Sequence, residues 1–407
     1  MHLYLEGTVK DVDTIRYSSA DSMRKRGVEV FPETELLEVL PAEHAIRVRD
    51  LKSGEERKEN YDKLILGLGM APNILPLPGL DLEGVELFGG RDQAVLLEKL
   101  EHSPEVENVV ILGGGYIALE AAMCFNKAGK KVTMLNRAER LIDTHLDKEL
   151  TDILTAEIEQ QGIKFLPNVN VTEIEGKDGK VSVVKTEQGD FLADLVLTCV
   201  GNHPNTEILK GTLDMDERGF IKVDEYQETS AKDVFAAGGS TQMIFNPIDG
   251  KLNIDLATNA RKQGRVAAKN LEEKHFPYTG MQGTSALKVY DYYFSSTGLT
   301  AMAAERLGVN FGQVYLETLA LDEYLPEEMN AKVYAKLVYN KDNKRVIGAQ
   351  ILSKHDLTGL MQAVSMAIKG KLTYEDIAFG DFFFQPLFNR PWNVLNELGL
   401  KAMKEEA

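Results

Sequence analysis

The chain has 407 residues, 43% of them hydrophobic, and a formal net charge of −17 at pH 7. That length predicts two to four domains with cores of their own, and the acidic balance argues against nucleic acid or an anionic membrane surface as a partner. No apolar run is long enough to span a membrane and no charged-then-apolar leader follows Met1, while the two cysteines, Cys124 and Cys199, form no CxxC pair, so a soluble, reducing, cytoplasmic setting is expected.

In chain order, MHLYLEG opens with no strand before it, and a helix-like piece over 19–26 leads into 28–31. Three strands are predicted at 34–40, 46–51 and 55–60, separated by a turn at 41–44 and by Ser53-Gly54. A buried strand at 64–66 runs into Gly67 and Gly69, and Pro72, Pro76 and Pro78 make a stiff exit loop.

Residues 108–136, NVVILGGGYIALEAAMCFNKAGKKVTMLN, form the most informative stretch. The spacing predicts a buried strand over 108–112, a turn at Gly113-Gly114-Gly115, a helix over 117–127 stopped by Gly129, and a second strand over 132–135. A pyrophosphate needs backbone N–H groups with no side chain in the way, at a helix N-terminus whose dipole favours negative charge. Gly113 permits the turn, Gly115 the close approach, and Ala118 lets helix pack on sheet. The stretch therefore reads as a dinucleotide-binding unit.

A helix over 147–161, a hairpin around 176–179 and a strand over 193–200 follow, and GNHPNT closes the domain at 201–206. Residues 222–241 read as strand-turn-strand ending in Gly238-Gly239, ahead of a helix over 255–269. From Met281 a strand-rich module, with helices at 301–307 and 360–368, runs to FFFQPLFNRPWN and a charged tail. Cys124, within a helix, and Cys199, within a strand, read as small buried hydrophobes. The seven histidines are scattered, so no metal site is predicted.

Several spaced motifs occur together: YDKLIL-G-G at 61–69, GGGYIALE at 113–120, ADLVLTCVG-HPNT at 193–206, DVFAAGG at 233–239 and LATNARKQGR at 256–265, with the tail at 382–393. In this order they resemble the FAD-dependent pyridine nucleotide–disulfide oxidoreductases, more narrowly the NADH peroxidase and NADH oxidase group, the tail being nearer to the peroxidase. The resemblance implies an α/β fold with two Rossmann-like three-layer domains and a C-terminal α+β dimerisation domain. The FAD-type domain would cover 1–104 and 204–276 and be incomplete at its N-terminus. The NADH-binding domain would cover 105–203, and the interface domain 277–407 would make a homodimer or higher homo-oligomer. NADH would bind at Gly113, Gly114, Gly115, Tyr116, Ile117, Glu120, Asn136, Arg137 and Gly201. The residual FAD side would consist of Gly69, Gly238, Gly239, Leu256, Ala257 and Thr258. Tyr116 would gate the nicotinamide and Glu120 would hold its amide. The family reaction implied passes electrons from NADH to FAD, to a cysteine sulfenic acid and so to hydrogen peroxide.

The sequence also departs from that pattern. Family members carry a first strand–glycine loop–helix unit and an S-C-G segment ahead of the equivalent of MHLYLEG. The redox cysteine and the FAD pyrophosphate loop are therefore expected upstream of Met1, no catalytic residue is assigned here, and impaired turnover is expected. The family's second flavin motif ends in Gly-Asp, whose acid takes the ribityl hydroxyls. Gly238-Gly239 stands there, a loss of roughly 1–3 kcal/mol for a hydroxyl left unpaired, as erosion of the flavin half predicts. Asn136 followed by Arg137 leaves NADH and NADPH both open, because the arginine suits a 2′-phosphate. The alternatives are a non-catalytic NAD(P)H-binding dimer and an NADH oxidase that reduces dioxygen.

Overall fold

The computed structural model describes residues 1–407. Its central sheet has five parallel strands in the order Val85–Leu87, Leu195–Thr198, Asn108–Leu112, Lys131–Leu135 and Lys164–Leu166. Val109, Val110, Ile111 and Leu112 are all buried, as an apolar run covered on both faces must be. On one face the Tyr116–Lys127 helix buries Ala118, Leu119, Ala121, Ala122 and Phe125, and Gly129 ends it at φ +83°. The Arg91–His102 and Lys148–Gln160 helices supply Leu97, Leu150, Leu154 and Ile158 to the same core. On the other face Val110, Leu112 and Val196 pack against Ile174, Val181 and Val184 of an antiparallel meander, Val171–Lys177, Lys180–Thr186 and Gly189–Leu192. The hairpin expected near 176–179 is thus one corner of a third layer.

The preceding part pairs Thr34–Leu40, Ala45–Asp50 and Glu56–Asn60 as an antiparallel meander. Leu64–Leu66 pairs in parallel with Val234–Ala236, and the Ala257–Lys269 helix lies against this pair. Only the second strand expected in 222–241 forms. Asp224 accepts the amides of Tyr226 and Glu228 through Oδ1, and this local turn takes the donors a strand would need.

The C-terminal part is an antiparallel sheet ordered Ser285–Val289, Tyr292–Gly298, Val346–Ser353, Lys332–Asn340 and Phe311–Leu319. The Leu360–Lys369 and Val394–Glu405 helices share a core with it. The second helix stands where a charged tail was expected, because Val394, Leu395, Leu398 and Ala402 are buried at helical spacing behind the charges.

A buried polar joint ties the parallel-sheet module to this last part. Asp147 accepts the amide of Ala301 at 2.9 Å and Nε2 of Gln350 at 2.7 Å, and lies 3.3 Å from Nζ of Lys336. Only 5% of Asp147 and 3% of Lys336 remain exposed. No helix is long and apolar enough to cross a membrane.

Candidate functional site

The glycine turn holds its three residues for two different reasons. A Cβ on Gly113, at φ +127°, would stand 2.4 Å from the Cys199 carbonyl, and one on Gly114 would stand 2.7 Å from Cγ of Asn136. Both glycines let chain pack on chain. A Cβ on Gly115 would meet nothing within 4 Å. Gly115 is also the N-cap of the 116–127 helix, with no side-chain cap, so the first amides are left for an anion. This open approach fits the pyrophosphate of a dinucleotide.

Gly115 lies on the rim of a cleft of about 900 Å³. Tyr116, Ile117, Glu120, Gly201 and Leu256 line it as well, so six of the expected site residues meet there. Tyr116 is held at rest: its hydroxyl lies 2.8 Å from Oγ of Ser285, its ring stacks on Phe294 at 5.5 Å, and His145 meets it edge-on at 4.2 Å. Burial pushes the Tyr116 phenol up to about 12 and His145 down to about 4, so at neutral pH the phenol keeps its proton and the imidazole is uncharged. Glu120 is engaged by His2, with Oε1 3.1 Å from Nδ1, and that hydrogen bond holds His2 above its ordinary value.

The other expected residues stand outside the lining. Asn136 is buried and donates both amide protons, to the carbonyls of Ala138 and Arg140, leaving Oδ1 as its acceptor. Arg137 is exposed and makes no ion pair. On the far side, Gly69 takes φ +67° with open space where a side chain would go. Gly238 donates its amide to Oε1 of Gln263 at 3.0 Å and accepts from the Thr241 hydroxyl at 2.9 Å. Gln263 closes the loop by donating Nε2 to Thr241. Gly239 is packed between Asp255 and Met70. Leu256 is the extended N-cap of the 257–269 helix, whose first turn, Ala257 and Thr258, is exposed and has no side-chain cap.

These far-side residues bear on whether a flavin fits. The Leu64–Leu66 and Val234–Ala236 strands run in parallel into Gly67, Gly69 and Gly238-Gly239, and such crevices beyond strand carboxyl ends take ligands. Ser240, wholly buried in that turn, has a hydroxyl with no partner. The uncapped helix offers donors beside it. The residues present fit the group.

Neither cysteine is nucleophilic. Cys124 is buried, and Cys199 lies just past the end of the 195–198 strand, half-buried on the cleft wall rather than within a strand as expected. Loss of solvation pushes both thiols up to about 12, so neither is a thiolate at neutral pH. His145, Asp255, Gln263 and Ser285 escaped sequence reasoning. Gln263 lies within the 256–265 motif but was given no role, and the other three belong to no local motif and reach the site only through tertiary packing.

The comparisons with known proteins agree with this architecture. Residues 2–264 match the pyridine nucleotide-disulphide oxidoreductase family and residues 284–394 match its dimerisation domain. An NADH oxidase of Enterococcus faecalis is 38% identical over 405 residues, covering 99% of this chain and 90% of the relative. An NAD(P)H sulfur oxidoreductase (CoA-dependent) of Pyrococcus furiosus is 31% identical, covering 96% and 87%. The solved water-forming NADH oxidase from Lactobacillus brevis, bound to NADH, superimposes with a TM-score of 0.95 at 33% identity, covering all of this chain and 89% of that one. By fold, motif order and similarity over 96% or more of its residues, the chain belongs to the pyridine nucleotide-disulphide oxidoreductase family.

Proposed function

We propose that the protein is a flavoprotein oxidoreductase of the NADH oxidase type, taking NADH on the Gly115 side of the cleft, FAD on the Leu256 side, and dioxygen as acceptor. The observation that carries this is the open approach at Gly115 leading into the same cleft as Tyr116, Glu120 and Leu256. The names of the relatives favour the oxidase over the peroxidase that the 382–393 tail suggested.

The chain's own residues would divide the work as follows. Gly113, Gly114 and Gly115 shape the loop, and the first amides of the 116–127 helix hold the pyrophosphate. Asn136 Oδ1 accepts from a ribose hydroxyl, and Arg137 can take a 2′-phosphate, so NADPH is a second donor. Tyr116, swung away from Ser285, opens the nicotinamide slot and keeps water out, with Ile117 and Gly201 at its edge. Glu120 takes the nicotinamide amide once it leaves His2. Bound flavin supplies the hydride acceptor and the route for electrons to dioxygen. Residues 277–407 form the homodimer contact, and the domain limits 1–104 with 204–276, and 105–203, follow the division of labour.

NADH fluorescence titration of the purified chain, with NADH consumption followed under air, under argon and with added peroxide, tests this. The expected result is saturable binding and consumption that needs air and is not accelerated by peroxide. Gly115→Asp is expected to weaken binding at least 100-fold by setting a charge against the pyrophosphate. Absence of NADH binding would overturn the proposal, and binding without consumption would leave a non-catalytic NAD(P)H-binding dimer.

A further inference from the structure

From sequence alone Gly239 leaves a cofactor hydroxyl without its acid, yet the structure puts another acid in the same space. A Cβ built on Gly239 would stand 2.7 Å from Oδ1 of Asp255, 3.2 Å from its Cγ and 2.8 Å from Cγ of Met70. By standard bond lengths the oxygens of an aspartate lie about 2.4 Å from their own Cβ. The Asp255 carboxylate therefore stands at nearly the distance at which an acid at position 239 would hold its own oxygens. Glycine at 239 and aspartate at 255 are one unit, since any side chain at the first would strike the second.

Asp255 is free to receive a ligand. It lines the cleft with Met70 and Leu256. The protein around it raises its carboxyl above the ordinary range, with no cation or donor to counter that. A carboxylate only accepts hydrogen bonds, so whatever passes here must present a donor. The helix amides next to it are donors and suit the ligand's acceptor atoms instead. In a flavin, the part that carries hydroxyl donors is the polyol chain beside the ring.

We infer that Asp255, reaching into the volume left by Gly239, accepts a hydrogen bond from a hydroxyl of the flavin polyol chain. This rests on the reading above that a flavin occupies the cleft. A charge that merely favours the N-terminus of the 257–269 helix would instead act on thermal stability and not on the choice of ligand.

The full chain, freed of flavin, is titrated with FAD, with riboflavin and with lumiflavin, which lacks the hydroxylated chain, following flavin fluorescence. Asp255→Ala is expected to weaken FAD and riboflavin roughly 10- to 100-fold, as loss of a hydrogen bond to a charged acceptor does, while lumiflavin changes less than about threefold. The exchange Gly239→Asp with Asp255→Ala is expected to return riboflavin to within about threefold of wild type. Asp255→Asn keeps the shape and gives the same direction if the alanine variant does not fold. Unchanged riboflavin affinity, equal losses for riboflavin and lumiflavin, or an exchange variant no better than Asp255→Ala would each overturn the assignment. Wild-type protein that binds none of the three flavins would instead overturn the flavin reading itself.

Discussion

Tyr116 is held on the wall of the cleft by one neutral hydrogen bond and two aromatic contacts. If NADH enters by displacing this side chain, the bond to Ser285 is a cost of binding of about 0.5–1.5 kcal/mol. Tyr116→Phe, which keeps the stacking on Phe294, is expected to tighten NADH severalfold in a titration; equal affinities would show that the ring does not move. At this scale the site was only partly legible. The need for Gly115 is written in the local pattern, since a strand, a glycine turn and an apolar helix can satisfy their backbone groups in few other ways. Gly114 is legible as part of the turn, but its tight fit over Asn136 depends on a strand that only tertiary structure brings near. The roles of Gln263 and Asp255 were invisible for the same reason. So was the pairing of Glu120 with His2, whose partners meet only once the chain has folded.

At the scale of elements, periodicity worked where a segment buries one continuous face. The 108–112 strand and the 116–127 helix lie within a residue of expectation because each is apolar on every side the fold covers. The Arg91–His102 and Val394–Glu405 helices were missed because charged residues interrupt the apolar ones along the chain, while the buried set, such as Val394, Leu395, Leu398 and Ala402, shares one helical face. The strand expected near 222 failed for another reason: the turn at Asp224 competes locally for the same amides. The joint at Asp147 is expected to matter more than any surface ion pair. Asp147→Ala strands Lys336 with only the half-exposed Glu149 and leaves the Ala301 amide without its acceptor. A loss of about 3 kcal/mol in denaturant unfolding is expected. A change under about 1 kcal/mol would show that the joint has no energetic role.

Across the whole molecule, two histidines shape the pH dependence of stability in opposite directions. His145 titrates at about 4 when folded, against an ordinary 6.5. The unfolded chain therefore takes up that proton first, and stability falls as pH drops from about 6.5 to 4. His2 is held above 6.5 by Glu120. Its contribution is complete below 6.5 and is lost as pH rises through the raised value. Glu101, pushed by burial up to about 7, works against His145 on this acid limb, so His145→Gln is expected to lose less melting temperature than the wild type as pH falls from 6.5 to 4. An unchanged acid limb in that variant would assign it to other groups. At this scale the family and the α/β architecture were legible from motif order, whereas the choice of oxidant was not. Peroxidase and oxidase readings share one scaffold, and the aromatic tail that favoured the first is a poor guide to chemistry carried out elsewhere.

The Asp147 joint also limits how the molecule can breathe. Tyr290 adds a second clamp, its hydroxyl donating to Oδ1 of Asn126 at 2.6 Å at the far end of the 116–127 helix. With the parallel-sheet module fastened to the C-terminal part at two separated points, the Tyr116–Ser285 wall of the coenzyme's doorway is held against those two parts swinging apart. At that wall admission falls to individual rotamers, which turn over faster than the microseconds to milliseconds of a hinge. Uptake of the coenzyme should then be governed by diffusion and by one aromatic ring, with no slow isomerisation ahead of it.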